Sequence, residues 1–161
     1  MIRIAEPRDI PRLTDIYNEQ ILNGTASFDT EPCTEREAWF AAHTGRHRLT
    51  VWEENGVVAG YASLSTYNAK PAYNGSAEFS LYIAPEYRGR GIGRALAEDM
   101  LAFARARDDL FTVISLITAD NDVSIRLHRS LGFREVGVLR RVGRKFDRFL
   151  DVAIYQIEVE K

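Results

Sequence analysis

Apolar residues in the first half of the chain follow patterns that predict four β-strands. A short strand is predicted at residues 2–7, and residues 47–65 predict a hairpin because two apolar segments flank the Asn55–Gly56 turn. Residues 76–84 predict a fourth strand, in which neighbouring side chains point to opposite faces of a sheet. On one face of that strand we expect Phe79, Leu81 and Ile83, and on the other Glu78, Ser80 and Tyr82.

Helical spacing of apolar residues predicts two helices between these strands. After Asp9, the expected N-cap, apolar residues recur on one helical face at Ile10, Leu13, Tyr17 and Ile21. Thr34 is followed three residues later by Glu37, a pair typical of a capping box at the start of a short helix.

The second half of the chain alternates between helical and strand patterns. We expect a helix from residue 93 to about residue 107, a buried strand at 110–118, a helix ended by Gly132, and strands at 135–140 and 149–158. Strands therefore dominate the front of the chain, and a β–loop–α–β–α segment follows. This order predicts a single α+β domain over residues 1–161, with a mixed central sheet flanked by helices.

Composition and charge exclude several classes of protein. The chain has 161 residues, a formal net charge of −2 and a pI near 5.9, whereas dedicated nucleic-acid-binding domains are usually basic. No apolar run approaches the ~20 residues that a membrane span needs, and the first residues lack the apolar core of a signal peptide. The one cysteine, Cys33, excludes an internal disulfide and a cysteine-based zinc site. We therefore expect a cytoplasmic protein with no nucleic-acid or membrane partner.

A glycine- and arginine-rich loop in the segment EYRGRGIGRALAEDM, residues 86–100, lies between a predicted strand and a predicted helix. Such a loop presents backbone N–H groups at a helix N-terminus, where phosphates bind. The glycine spacing does not fit a dinucleotide fingerprint, and Arg94–Ala95 stands where a P-loop has Lys and then Ser or Thr. A basic turn without a ligand is the structural alternative.

The spacing Arg-x-x-Gly-x-Gly, met by Arg88, Gly91 and Gly93, resembles the pyrophosphate loop of the GNAT superfamily of acyl-CoA N-acyltransferases. The segment NDVSIRLHRSLGF resembles the helix that follows the next strand in that superfamily, with Asn121 and Phe133 in place. Across nearly the whole chain, segments such as IYNEQILNGTASFDTEP and VGRKFDRFLDV are similar to the phosphinothricin and methionine-sulfoximine acetyltransferase branch of L-amino acid N-acyltransferases.

This resemblance implies acetyl-CoA as co-substrate, no metal, a small-molecule amine as acceptor, and a homodimer. The residues that it places at the coenzyme are Leu81, Tyr82, Ile83, Arg88, Gly89, Arg90, Gly91, Ile92, Gly93, Arg94 and Asn121. A backbone N–H between Leu81 and Ile83 is the candidate donor to the oxyanion that forms during acyl transfer.

Acetyl transfer requires a neutral amine, so a base must remove a proton from an ammonium group whose pKa is about 10. Glu78 is the candidate base, because its strand leads straight to the phosphate loop; a solvated edge-strand carboxylate is the alternative. The leaving thiolate benefits from a proton donor, and the resembled branch has histidine where this chain has His128. From its position one turn after Ser124, His128 could equally cap a helix–sheet contact.

The chain departs from the branch in the segment YNAKPAYNGSAEFS. Two arginine positions of the branch are asparagines here, and the histidine after the glutamate is Phe79. Because asparagine cannot replace a guanidinium that binds carboxylate bidentately, we expect poor acetylation of phosphinothricin and methionine sulfoximine and a preference for less anionic amines. Another arginine, such as Arg148, could supply the charge instead. The expected acceptor-binding residues are Phe28, Asn68, Lys70, Asn74 and Lys145.

Two functions of different classes fit these features. The first is an acetyl-CoA-dependent N-acetyltransferase, acting on an amino acid or analogue or on a small amine of another kind. The second is a non-catalytic acyl-CoA sensor or interaction module on the same fold. Glu78 favours the enzyme, because a sensor needs no base beside a thioester.

Overall fold

The strands and helices follow one another in the order that the hydrophobic pattern predicts. The computed structural model describes residues 1–159, and the expected domain over residues 1–161 includes two further residues outside this range. The strands are β1 (Ile2–Ile4), β2 (Leu49–Glu54), β3 (Val57–Thr66), β4 (Ser76–Ile83), β5 (Thr112–Thr118), β6 (Arg134–Lys145) and β7 (Arg148–Glu158). The helices are α1 (Ile10–Asn23), α2 (Glu37–Ala41), α3 (Ile92–Arg105) and α4 (Asp122–Ser130).

The strands form one sheet in the order β1-β2-β3-β4-β5-β7-β6. Neighbouring strands are antiparallel except β4 and β5, which run parallel, so the expected α+β class with a mixed sheet is confirmed. In the described part of the chain, three residue pairs join β4 to β5, the last of them Glu78 with Ile114. Beyond that pair the two strands separate.

Helices cover both faces of the sheet, with an apolar cluster beneath each layer. On one face, Leu96 of α3 packs in a cluster with Phe79 and Val113. On the other face, Leu13 of α1 packs in a cluster with Tyr61. Burial on both faces is what allows the long apolar runs of β3 and β5. No helix within residues 1–159 is both long and apolar enough to cross a membrane.

The alternation expected along β4 is confirmed, and it decides which side chains can meet a ligand. Leu81 and Ile83 pack against the cluster beneath α3, whereas Tyr82 packs against the cluster beneath α1. Because side chains alternate along a strand, Glu78 and Ser80 share the face of Tyr82.

Of two expected helix N-termini, one is wrong and the other is confirmed in position. The short helix α2 has Arg36 as its N-cap and shows no side-chain capping bond, so Thr34 and Glu37 do not form the expected box. Its first residue is Glu37, which leaves Thr34 outside the helix. Asp9 is the N-cap residue of α1, as expected, but its carboxylate makes no capping bond, because it accepts from the backbone N–H of Glu6 at 2.8 Å and from the Arg3 guanidinium.

Several boundaries in the second half differ from the expectation, and β5 begins at Thr112 rather than at residue 110. Helix α3 begins at Ile92, because the left-handed backbone of Gly91 ends the preceding loop one residue earlier than expected, and α3 ends at Arg105. Strand β6 extends from Arg134 to Lys145, well beyond the expected 135–140. Two register irregularities in its pairing with β7 break the alternating pattern from which its length was inferred.

Candidate active site

The separation of β4 and β5 leaves unpaired backbone groups in the middle of the sheet. The N–H of Ala84 donates to the Ala59 carbonyl oxygen at 2.8 Å, and hydrogen-bonding direction alternates along an antiparallel strand. The peptide groups of Tyr82 therefore also face β3, and those of Leu81 and Ile83 face the opposite edge. Since β5 has turned away there, these peptide groups line the gap and can bind a ligand that lies along the strand.

The glycine loop delivers a second set of backbone donors to the same gap. Gly89 has a φ of 74° and Gly91 a φ of 80°, a region that residues with a Cβ rarely adopt. The first helical hydrogen bond of α3 runs from Ala95 to the Gly91 carbonyl, and Gly91 offers no side-chain cap. Among the described residues nothing accepts from the N–H groups of Ile92 and Gly93, so the helix presents a set of free donors to an anion.

Arginines beside this loop are paired with acidic residues. Arg88 contacts Glu19 at 3.1 Å, Arg90 contacts Glu54 at 2.9 Å and Arg94 contacts Glu98 at 2.9 Å. All of these side chains are substantially exposed, and exposed ion pairs of this kind are weak. An incoming phosphate can therefore compete for the arginines at small cost.

A small cavity, here called the splay cleft, occupies the gap between β4 and β5. Its volume is about 60 Å³. It is lined by Ala26, Phe79, Ser80, Leu81, Tyr82, Ser115, Leu116, Ile117, Thr118, Asn121, Ser124 and His128. Asn121 is the N-cap of α4, and its side-chain oxygen accepts from the Ser124 N–H at 3.2 Å. The structure thus brings Leu81, Tyr82, Asn121 and His128, four of the predicted residues, to one cavity.

His128 is buried in the splay cleft, and hydrogen bonds occupy both nitrogens of its ring. Nδ1 lies 2.7 Å from the Ser124 carbonyl oxygen, which can only accept, so Nδ1 carries the proton. Nε2 lies 2.9 Å from the Ser115 hydroxyl and accepts its proton. Burial lowers the pKa of His128, which favours this neutral form. In this tautomer the ring orients Ser115 and points no N–H into the cleft.

A larger cavity, here called the aromatic cleft, opens on the α1 and α2 side of the sheet. Its volume is about 270 Å³. It is lined by Tyr17, Asp29, Cys33, Glu35, Arg36, Trp39, Tyr61, Ser63, Ser65, Ser80 and Tyr82. Ser80 and Tyr82 line this cleft and the splay cleft alike, so the two cavities meet at these residues.

Glu78 lies beside this junction, two residues before Ser80 on the same face of β4, outside the lining of both clefts and in the last residue pair before β4 and β5 separate. Its side chain is half-buried and has no hydrogen-bond partner among the described residues. Burial raises the pKa of Glu78 above its ordinary value. Across the sheet it faces Ser65, whose hydroxyl lies 2.9 Å from Nε2 of His43. A desolvated, unpaired carboxylate of raised pKa is suited to accept a proton near neutral pH.

Arg36 is the residue of this site that the sequence analysis missed. Its side chain is 93% buried, since the relative exposure is 7%, and its Cζ lies 3.5 Å from the Trp39 ring centroid and 4.4 Å from that of Tyr17. No motif marks it, because Tyr17, Arg36 and Tyr61 are distant in the chain and meet only after folding.

The predicted acceptor-binding residues do not line either cleft. Asn68, Lys70 and Asn74 lie on an exposed turn after β3, where the Asn68 side chain accepts from the Lys70 N–H at 3.0 Å. Lys145 is buried and donates to the Ser27 carbonyl oxygen at 3.0 Å, so it holds a loop in place. Phe28 is exposed, outside the lining of both cavities. We therefore assign the acceptor's charge to none of these side chains.

Within residues 1–159, no group of three or more His, Cys, Asp or Glu side chains could hold a metal ion. Arg148, the alternative source of charge, pairs with Asp120 at 3.0 Å on the surface. The groups that the structure gathers around the clefts include backbone donors, the half-buried Glu78 carboxylate and the buried Arg36 guanidinium.

Comparison with known proteins shows which family this chain belongs to. The chain matches the Acetyltransferase (GNAT) family over residues 12–133. It is 43% identical over 161 residues to the phosphinothricin N-acetyltransferase of Streptomyces coelicolor, with 96% of this chain and 94% of that protein covered. It is 35% identical over 163 residues to the L-methionine sulfoximine/L-methionine sulfone acetyltransferase of Salmonella typhimurium, covering 99% of this chain and 95% of that protein.

A solved structure agrees with these relatives. The yncA acetyltransferase from Salmonella typhimurium, determined with its cofactor acetyl-CoA, superimposes with a TM-score of 0.96 at 34% identity. The superposition covers 100% of this chain and 94% of that one. The chain is therefore an acyltransferase that belongs to the GNAT family of acetyltransferases.

Proposed function

We propose that this enzyme transfers the acetyl group of acetyl-CoA to the primary amine of an amino acid or amino-acid analogue. The observation that carries the proposal is the position of Glu78, a half-buried carboxylate of raised pKa two residues before Ser80, where the two clefts meet. Two relatives are named as acetyltransferases of phosphinothricin and of methionine sulfoximine, and these names support this acceptor class.

The backbone groups of the splay cleft and of the glycine loop are the proposed coenzyme site. The free N–H groups at the start of α3 would receive the pyrophosphate, with Gly89 and Gly91 keeping side chains away from it. The exposed peptide groups of Leu81 and Ile83 would hydrogen-bond the amide-containing arm of the coenzyme. This arrangement directs the thioester towards Ser80 and Tyr82, where the clefts meet.

The reaction needs a single displacement. Glu78, acting through water, takes a proton from the acceptor's ammonium group, and the neutral nitrogen attacks the thioester carbonyl carbon. A C–N bond forms, the oxyanion is stabilised by a backbone N–H of the Leu81–Ile83 segment, and the C–S bond then breaks. The thiolate takes up the proton that the nitrogen loses as the amide forms, so protons balance.

His128 was predicted to supply a proton to the thiolate. In the observed hydrogen-bond pattern its one N–H points to the Ser124 carbonyl, and a second proton is disfavoured because burial lowers its pKa. These contacts favour a positioning role through Ser115. The proton-donor role stays a prediction that the kinetics of a His128 variant can decide.

Release of free thiol from acetyl-CoA in the presence of an amine panel tests the proposal. The panel should contain phosphinothricin, methionine sulfoximine, free amino acids and simple alkyl amines. We expect turnover with amino acids or their analogues above that with alkyl amines. Turnover confined to amines that are not amino acids, or none at all with any member, would contradict the proposed acceptor class.

A further inference from the structure

The guanidinium of Arg36 is a buried cation without an acidic partner. Among the described residues no carboxylate oxygen lies within 4.0 Å of it, although Asp29 and Glu35 line the same aromatic cleft. Its surroundings are the rings of Tyr17, Trp39 and Tyr61, whose π faces stabilise a cation without neutralising its charge. A buried charge in such a setting gains strongly from an incoming anion.

The hydrogen bonds of Arg36 leave one edge of the guanidinium free. Its Nη1 nitrogen donates to the Leu13 carbonyl oxygen at 3.4 Å and to the Tyr61 hydroxyl at 3.3 Å. The Nε and Nη2 nitrogens have no protein acceptor within residues 1–159. Fully enclosed nitrogens that lack a partner occur at Arg46 and Arg48 but not at Arg36, so its free donors reach the cleft. Nε–H and Nη2–H point in parallel from one edge, the geometry that binds a carboxylate bidentately.

The register of β3 and β4 gives the spacing of the rows that separate Tyr61, a hydrogen-bond partner of Arg36, from Glu78. Three cross-strand rows face the aromatic cleft, Tyr61–Tyr82, Ser63–Ser80 and Ser65–Glu78. Successive rows are about 6–7 Å apart, because each step is two residues along a strand. An amine above the middle row would have Glu78 one step away on one side and the Arg36 end of the cleft one step away on the other. The cleft therefore matches a zwitterion with its ammonium group towards Glu78.

We propose that Arg36 binds the carboxylate of the acceptor and selects amino acids over amines that lack this group. The proposal rests on the function proposed above and names the feature of the acceptor that the site recognises. It replaces the charge that Asn68 and Asn74 cannot supply, so it predicts a preference for the free carboxylate, opposite to the expectation from the sequence.

The test compares L-methionine sulfoximine, whose one anionic group is its carboxylate, with its carboxamide at saturating acetyl-CoA. Arg36→Met has the length to pack between Trp39 and Tyr17 but carries no charge. We expect kcat/KM for the free acid to fall about 10- to 100-fold, mainly through KM, because a charge-assisted hydrogen-bonded pair is lost. The carboxamide and the KM for acetyl-CoA should change little. Arg107→Met removes the same charge from a surface pair with Asp109 and serves as control.

A second Arg36 variant and a direct binding measurement complete the test. Arg36→Lys keeps the positive charge but not the planar guanidinium that binds carboxylate through two nitrogens, so it should retain part of the preference for the free acid. This variant also provides a test if Arg36→Met does not fold. Calorimetric binding of methionine sulfoximine, measured without turnover, should weaken in the Arg36 variants and not in the control. Equal losses for acid and carboxamide, or a wild-type enzyme indifferent to the carboxylate, would overturn the role of Arg36. Inactivity of the wild type with every amine would instead overturn the proposed function.

Discussion

The splay cleft and the aromatic cleft meet at Ser80 and Tyr82, yet one offers mainly backbone groups and the other mainly side chains. The proposed coenzyme side depends mainly on backbone: an uncapped helix start, a glycine loop and a strand edge that β5 has left unpaired. The proposed acceptor side depends on side chains from α1, α2, β3 and β4. Backbone recognition tolerates changes of side chain, so acceptor specificity can diverge while coenzyme binding is kept.

A histidine is fixed in the same way beside each cleft: His128 lines the splay cleft, and His43 contacts Ser65 of the aromatic cleft. His43 and His128 place Nδ1 against the carbonyl oxygen four residues earlier, at 2.8 Å and 2.7 Å, and Nε2 against a strand serine at 2.9 Å. The acceptor-side pair is half-buried, whereas His128 and Ser115 are buried at 3% and 2% exposure. The same hydrogen-bond pattern is thus rigid on the coenzyme side and accessible to water on the acceptor side.

The largest expected effect is that of Glu78→Gln beside the junction. The variant keeps the shape of the side chain but cannot accept a proton, so turnover should fall by ~10²–10⁴ while acetyl-CoA affinity hardly moves. Stopped-flow or steady-state thiol release together with calorimetry would measure both. Glu37→Gln on the exposed surface of α2 is the matched control. Turnover within a few-fold of wild type, with chemistry rate-limiting, would remove Glu78 from the role of base.

Gly91→Val should have the opposite effect, weakening acetyl-CoA binding. A β-branched residue is strained at a φ of 80° and would crowd the pyrophosphate, so the acetyl-CoA Kd should rise about tenfold or more. Acceptor preference should stay unchanged. Gly56→Val introduces a similar strain at φ 76° in the hairpin turn, remote from both clefts, and should destabilise without altering the Kd. Equal coenzyme affinity in folded Gly91→Val and wild type would argue against the loop as the phosphate site.

Replacing each histidine by phenylalanine compares the two fixed rings directly. His128→Phe leaves the buried Ser115 hydroxyl without its partner, which should cost about 1–3 kcal/mol of stability. His43→Phe should cost less, because water can reach Ser65. We expect His128→Phe to lower turnover much less than Glu78→Gln, as measured by the same assay. A loss as large as that of Glu78→Gln would support the proton-donor role.

The smallest expected effect is on the stability of the fold, which the half-buried carboxylate of Glu78 lowers at neutral pH. Burial raises the folded-state pKa of Glu78 above its unfolded value of 4.5, so its contribution is favourable below pH 4.5 and is lost as pH rises through the folded pKa. Glu78→Gln should therefore have a higher Tm than wild type at pH 7. The difference should shrink towards pH 4, as measured by calorimetry. A lower Tm for the variant at pH 7 would show that the carboxylate has a stabilising partner.

The difference between the two clefts also separates what could be predicted from the sequence from what could not. The glycine loop, the order of elements and the alternation along β4 are local features, so Glu78 could be proposed from its place in the strand, and Arg88 and Gly91 from the family pattern that their spacing resembles. Arg36 could not, since its neighbours come from distant segments and the expected capping box drew attention to Thr34 and Glu37. The acceptor-binding set centred on Asn68 came from comparison with related sequences, and no residue of that set lines the cleft.

The gap between β4 and β5 has a thermodynamic consequence. A sheet interrupted in its middle lacks the hydrogen bonds that a continuous strand pair would supply, and a ligand that completes the pattern binds only the folded chain. Such a ligand stabilises the fold by RT ln(1 + [L]/Kd), about 2.7 kcal/mol at a hundredfold excess over Kd. The unfolded fraction of this enzyme would therefore rise as its co-substrate becomes scarce.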